Sequence, residues 1–195
     1  MDATDAEVLA TAQELPEAFG ELFERHFDAV HRFCARRVGV SRGEDLAGET
    51  FRRAFEHRDR FDLEQTSARP WLFGIAMNLI RTELRSKTIH DLAYLRLATF
   101  AGAGSADLVG DALDALVARE ELAVVARLLM TLPEDEVEAL FLHVWDGFSY
   151  AEVAVALEIP LGTVRSRLSR LRRRLETMLA DANRRPRSAT GRGGA

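Results

Sequence analysis

The sequence contains one cysteine, Cys34, in 195 residues. A single thiol excludes an intramolecular disulfide and any zinc site built from several cysteines. Cys34 falls on an apolar helical face, where a buried thiol acting as a small hydrophobe is expected rather than a redox sensor. No apolar run approaches the length that crosses a bilayer, and the N-terminus lacks the basic start and apolar core of a signal peptide. A cytoplasmic protein without membrane contact is expected. Alternating strand-like runs are missing. A P-loop, a metal-ligand spacing and a defensible nucleophile–base pair are missing too, so nothing calls for an enzyme, a metal or a cofactor. Basic residues are absent from the start: Met1 to Glu24 holds Asp2, Asp5, Glu7, Glu14, Glu17, Glu21 and Glu24, and no lysine or arginine.

What is present points to a folded all-α chain. Hydrophobic residues make up 47% and charged residues 29%, as in soluble domains. The length suits one large or two small domains. The formal net charge is −5, but it is polarised, acidic at the start and basic towards the end. That asymmetry suits a nucleic acid at one end and a basic protein partner elsewhere.

The basic end has internal order. In Phe148–Leu175, Ser149 and Glu152 form a capping box, and Val153, Ala154 and Leu157 recur at helical spacing. Pro160 then interrupts the pattern, because it has no amide proton and disfavours a helical residue before it. A second helix follows, starting at or just before Thr163, with Val164, Leu168, Leu171 and Leu175 on one stripe. Its other faces carry Arg165, Arg167, Arg170, Arg172, Arg173 and Arg174 with no acid among them. A short capped helix, a tight turn and a basic helix make a helix-turn-helix, whose second helix fits the major groove and whose arginines neutralise phosphates. The alternative is a solvated basic face on an ordinary packed helix.

Earlier in the chain, the segment to Glu14 reads as acidic and frayed. A helix from Pro16 presents Phe19, Leu22, Phe23, His26, Phe27, Val30, Phe33 and Cys34 on one face and ends at Gly39. Ser41 and Glu44 suggest a second capping box, opening a helix over 44–57 with Leu46, Phe51, Ala54 and Phe55 inward. A polar connection over 58–67 contains Phe61. Next, Pro70 suits a first helical turn, and Trp71, Leu72, Ile75, Ala76 and Leu79 keep core spacing. Asn78 breaks that stripe, as either an exposed polar residue or a reader of a base edge. A Gly-containing connector over 101–110 precedes a helical pattern from Leu113 to Leu129. Leu132-Pro133-Glu134 starts another helix, with Val137, Leu140, Phe141, Val144 and Trp145 inward.

The run EDLAGETFRRAF (Glu44–Phe55) followed by RPWLFGIAMNLIR (Arg69–Arg81) resembles region two of bacterial sigma factors of the extracytoplasmic-function group. The run from Leu132 to Leu175 resembles region four of the same group, in the right order. The resemblance implies two small helical domains joined by a flexible linker: an acidic segment 1–15, region two over 16–100, a linker over 101–112, region four over 113–182 and a tail over 183–195. It implies a subunit that binds core RNA polymerase, directs it to promoters and assists melting.

By position, Asp45, Leu46, Glu49, Thr50 and Phe51 would meet the beta-prime clamp helices, with the beta subunit a further contact. Asn78 would read the minus-ten element, Arg81 and Arg85 would hold phosphates, and Phe61 would help hold an unstacked base. Arg165, Ser166, Ser169 and Arg170 would read the duplex minus-thirty-five element, with Thr163 and Arg167 on phosphates. An anti-sigma factor is the implied regulatory partner. Two features depart from the family pattern: Glu158 stands in the turn where glycine is frequent, and 86–100 lacks a dense arginine cluster. The competing reading is a one-component regulator that binds an operator alone; association with core polymerase separates the two.

Overall fold

The structure, a computed structural model, describes residues 3–84 and 132–184, with side chains as far as Thr177. Arg85, the 86–100 continuation, the connector, the Leu113–Leu129 pattern and the tail from 185 lie outside the described residues. Among those described, the regular structure is helical: α1 (Asp5–Glu14), α2 (Phe19–Val38), α3 (Val40–Glu56), α4 (Arg69–Leu84), α5 (Glu134–Val144), α6 (Tyr150–Leu157) and α7 (Leu161–Arg184), with short 3₁₀ turns at Pro16–Ala18 and Arg58–Arg60.

The first helix corrects the expectation of a frayed start. Thr4 and Glu7 form a reciprocal capping box, and Val8, Leu9 and Ala12 are buried. One turn-spaced apolar row suffices once a neighbour covers it, even among acids. Helix α2 places Phe19, Leu22, Val30, Phe33 and Cys34 in the core. It ends at Gly39, whose φ of 87° puts it in the left-handed region. The same glycine precedes α3, which starts at Val40 without a side-chain cap. The expected Ser41–Glu44 capping box is therefore absent: Ser41 already lies inside the helix. Helices α2 and α3 pack closely as a hairpin. Gly43 makes this possible, since a Cβ there would lie 2.5 Å from the Ala35 Cα. Phe19 meets Phe55 edge-on at 5.3 Å across the pair.

Helix α4 crosses this hairpin and is buried around most of its circumference. Leu72, Ala76 and Leu79 are buried as the periodicity predicts, and Phe73, Met77 and Ile80 form a second buried row. A helix apolar on two sides belongs between two layers. Here the second layer is the helix-turn-helix end of the chain. Phe73 packs on Phe33 at 4.5 Å and on Phe148 at 4.9 Å. Gly74 lies so close to α6 that a Cβ would sit 2.7 Å from the Ala156 carbonyl oxygen. The two halves thus share one continuous core.

In the second half, α5 buries Val137, Phe141 and Leu142, whereas Val144, expected inside, is 59% exposed. The helix ends there, so the position faces outward. Ser149 and Glu152 form the expected capping box on α6. Glu158 ends α6 with φ 54° and ψ 42°, a left-handed conformation that a non-glycine residue adopts at a cost. Helix α7 starts at Leu161 and buries Val164, Leu168 and Leu171.

Candidate nucleic-acid and polymerase surfaces

Three surfaces follow from this packing. The first is the α6–α7 pair. On α7, Arg165, Ser169 and Arg172 stand at i, i+4 and i+7 and border a groove with His143, Val144 and Tyr150. Arg165, Ser166 and Ser169 are exposed and Thr163 is half-buried. The Ser166 hydroxyl donates to the Thr163 carbonyl at 2.9 Å. Arg167, Arg170 and Arg174 turn towards α5, where Arg167 meets Asp135 at 3.0 Å, and Arg170 and Arg174 meet Glu136 at 3.5 and 3.2 Å. The basic helix is thus divided. Arg165, Arg172 and Arg173 form no ion pair among the described residues, while three other arginines hold the buried and half-buried acids of α5.

The second surface lies on α4 and the 57–68 loop before it. Asn78 is exposed, and its Oδ1 accepts from Arg81 Nη1 at 3.1 Å. Arg81 is committed elsewhere as well. Its Nε donates to Glu138 Oε1 at 2.8 Å and its Nη2 to Glu138 Oε2, a bidentate pair with α5. The carboxylate of Glu138 raises the Arg81 pKa, against partial burial. Phe61 corrects the sequence expectation: it is buried at 6% exposure and packs on Trp71 at 5.4 Å. An aromatic ring in a loop of few apolar residues closes the core before it serves solvent. The loop instead exposes Asp62, Leu63, Glu64 and Thr66. Asp62 braces its tip, accepting from Glu64 N–H at 3.1 Å through its side chain and from Gln65 N–H at 3.0 Å through its carbonyl.

The third surface is the α2–α3 hairpin. Leu46 and Phe51 are buried, as helical spacing predicts, and so is Thr50, so none of the three offers the docking side chain that the family resemblance implies. Thr50 returns its hydroxyl to the Leu46 carbonyl at 2.7 Å. Their helix positions fall on the side facing α2, so they hold the hairpin together. Asp45 faces solvent and pairs with Arg42 at 3.2 Å. Glu49 pairs with Arg52 at 2.7 Å and Arg53 at 2.8 Å, and these guanidiniums hold its carboxyl down at about 2. Sequence periodicity placed Phe23 inside, yet it is 40% exposed, stacked on Phe27 at 4.6 Å and edge-on to Phe51 at 4.9 Å. Excess length in the apolar stripe of α2 was the available signal: it exceeds what one partner helix covers.

Between the first two surfaces runs a seam held by Asp146. Its carboxylate accepts from Arg36 and, at 3.4 Å, from Arg37 on α2; its carbonyl accepts from Arg69 on α4 at 2.8 Å. The Arg69 guanidinium lies 4.4 Å above the Phe148 ring. Burial opposes both charges of the Arg37–Asp146 pair: it pulls Arg37 down to about 10 and pushes the Asp146 carboxyl up, and mutual attraction offsets this only in part. Cys34, beside this seam, is pushed by burial up to about 12. No group of three or more His, Cys, Asp or Glu side chains could hold a metal ion among the described residues. No described helix is long and apolar enough to cross a membrane.

Comparison with known proteins identifies the family. Sigma-70 region 2 matches residues 22–89, and Sigma-70 region 4 matches residues 122–175. The chain is 34% identical over 182 residues to the ECF RNA polymerase sigma factor SigC of Mycobacterium tuberculosis, covering 91% of this chain and 92% of that one. The chain belongs to the ECF sigma factor family. It directs RNA polymerase to promoters for transcription initiation, in a family of non-enzymatic initiation factors. Among solved structures, CnrH in complex with the cytosolic domain of CnrY is 27% identical, with a TM-score of 0.60 over 91% of this chain and 97% of that one. The sigma factor RpoE of Bartonella quintana, solved with the anti-sigma factor NepR, shares the fold at 22% identity and a TM-score of 0.52, over 84% of this chain and 98% of that one.

Proposed function

We propose that this sigma factor reads a promoter with two separate modules and docks on polymerase with a third surface. Region two, within 16–100, uses Asn78 for the minus-ten element, with Arg81 and Arg85 on phosphates and the exposed loop tip around Leu63 beside the melted strand. Region four, within 113–182, uses Arg165 and Ser169 as major-groove readers, with Ser166 and Thr163 beside them and Arg172 and Arg173 on phosphates. Arg167 and Arg170 join that surface only if they leave Asp135 and Glu136. The observation that carries this reading is the division of α7, in which Arg165, Arg172 and Arg173 form no ion pair among the described residues while Arg167, Arg170 and Arg174 are held by the acids of α5.

Core RNA polymerase would meet the α2–α3 hairpin, at Asp45 and Glu49 on α3 and at Phe23 on α2, which is 40% exposed and stacked on the half-buried Phe27. Acidic side chains on one helix and an exposed ring on the other suit a basic, amphipathic coiled coil. An anti-sigma factor would bind as the partners of the structural relatives do, and the protein would act in the cytoplasm as a non-catalytic subunit.

Promoter reading also requires the Asp146 seam to open. The two elements lie about 25 base pairs apart, or about 85 Å at 3.4 Å per base pair. A compact chain of this length has a radius of gyration of about 16 Å. The closed arrangement cannot span both elements. Purified core polymerase with this protein should start transcription at specific promoters, and Phe23→Asp should abolish association with core. Operator binding without any association with core polymerase would refute the reading.

A further inference from the structure

The helix α1 lies outside both matched regions, since region 2 begins at residue 22. It nevertheless touches both ends of the 57–68 loop. At the end near α4, the Asp5 carboxylate accepts from the Ala68 N–H at 2.8 Å and the Ser67 hydroxyl at 3.2 Å. The same carboxylate is held from α2 by His26 Nε2 at 2.8 Å and Arg25 Nη1 at 3.1 Å. At the end near α3, Arg58 Nε donates to the Ala12 carbonyl at 2.9 Å, while its Nη1 holds the Phe55 carbonyl at 2.8 Å. Asp5 is 6% exposed, and Val8, Leu9 and Ala12 between the two ties are buried.

We infer that α1 is a splint for the minus-ten reading module, with Asp5 and Arg58 as positioning residues for the 57–68 loop and the start of α4. The carboxylate of Asp5 sits where the first amides of α4 have no helical partner, so it satisfies a donor and favours the positive end of the helix. It fixes the point from which α4 carries Asn78. The two anchors are far apart along α1, at its first residue and near its last turn, so the loop between them is stretched over a rigid bar. Its tip, 62–66, is braced in turn by Asp62, which accepts from the Glu64 and Gln65 amides. A melted base held by that tip would meet a preformed surface instead of one ordered on binding, which lowers the entropy lost on capture. The inference rests on the reading that this loop and α4 handle the melted minus-ten strand.

The test uses holoenzyme assembled from core polymerase and the full chain. The probe is a pool of single-stranded DNA randomised across the minus-ten element, read as enrichment at each position. Asp5→Asn and Arg58→Ala should weaken capture on the order of tenfold, the size of one lost base contact, and flatten the preference, with core association unchanged. Arg58→Lys, which keeps a donor, should restore part of it. Val8→Ala loosens α1 without touching either tie, so it should lower the melting temperature and leave the preference intact. If Asp5→Asn and Arg58→Ala select the same sequences as wild type, or if preference merely follows melting temperature through Val8→Ala, the splint is overturned. Asn78→Ala separates the two ideas. If Asn78→Ala changes selection and the splint variants do not, only the splint fails. If Asn78→Ala changes nothing, the reading of α4 fails and the splint with it.

Discussion

Gly74→Ala should push the two halves of the free protein apart. The added Cβ would meet the Ala156 carbonyl oxygen at 2.7 Å, the carbonyl carbon at 3.4 Å and the Cα at 3.5 Å. These are backbone atoms of α6, so no rotamer can move aside. A carbon–oxygen contact relaxes only near 3.3 Å or beyond, which leaves about 0.6 Å of overlap. Overpacking of this kind costs about 1–3 kcal/mol. Within α4 the same change favours the helix by about 1 kcal/mol, but that gain is present in the open and closed forms alike and cancels from their equilibrium. Opening should therefore increase by a factor of roughly 5–150. Two engineered cysteines at exposed Ser41 and Ala151 would carry a fluorophore pair across the seam, while Cys34 is shielded from labelling by burial. Transfer efficiency should fall for Gly74→Ala and further for Gly74→Val, with helical content unchanged. Unchanged transfer in both variants would refute the packing argument. Where the closed form dominates, promoter affinity should rise as it is depopulated.

Other predictions follow from single contacts. Glu158→Gly removes a left-handed non-glycine residue and should stabilise the helix-turn-helix by about 0.5–1 kcal/mol, read as an upward shift in denaturant midpoint; destabilisation would contradict the φ of 54°. Burial pushes the Asp5 carboxyl up, but bonds from His26, the Ala68 amide and Arg25 outweigh it and hold the group well below the usual carboxylate range. Its folded pKa is below the unfolded value of about 3.9, so its stabilisation is present above that pH and disappears as pH falls through the folded value. Stability curves of wild type and Asp5→Asn should begin to converge as pH falls below about 4 and draw together progressively towards the folded value; a constant gap down to pH 2 would remove the ion pairing from the account. Cys34 should resist thiol reagents at neutral pH at the rate set by unfolding, because burial disfavours the thiolate; rapid labelling of the native protein would contradict its position.

The helix-turn-helix was legible because its signals are local. A capping box, a proline and an arginine run lie within a few residues of what they determine. The exposure of Asn78 was legible for the same reason, as one polar residue that breaks an apolar stripe. The seam was not. Asp146 and Arg36 are 110 positions apart, and a carboxylate in a sequence does not display the guanidinium that will bury it. The buried Glu136 and Glu138 are the same case. Helix α1 was not legible because Val8, Leu9 and Ala12 form a thin stripe among acids, and its stability comes from the surface that covers it. Helical spacing put Leu46 and Phe51 inward, as they are, whereas the roles the family resemblance implied for Leu46, Thr50, Phe51 and Phe61 took no account of the core that buries all four. Helix α4 carried a visible hint: apolar residues on both sides of Asn78 announce two partners.

The division of labour between the two modules is tested most directly by selection from a promoter library with core polymerase and three forms of the protein: wild type, Asn78→Ala and Arg165→Ala. The structure predicts that Asn78→Ala alters the selected minus-ten sequence and leaves the minus-thirty-five preference as in wild type. Arg165→Ala should do the reverse, losing about 1–3 kcal/mol of discrimination at one duplex position. A library in which both substitutions weaken every sequence equally would show that neither residue reads bases, and would contradict the two-module account.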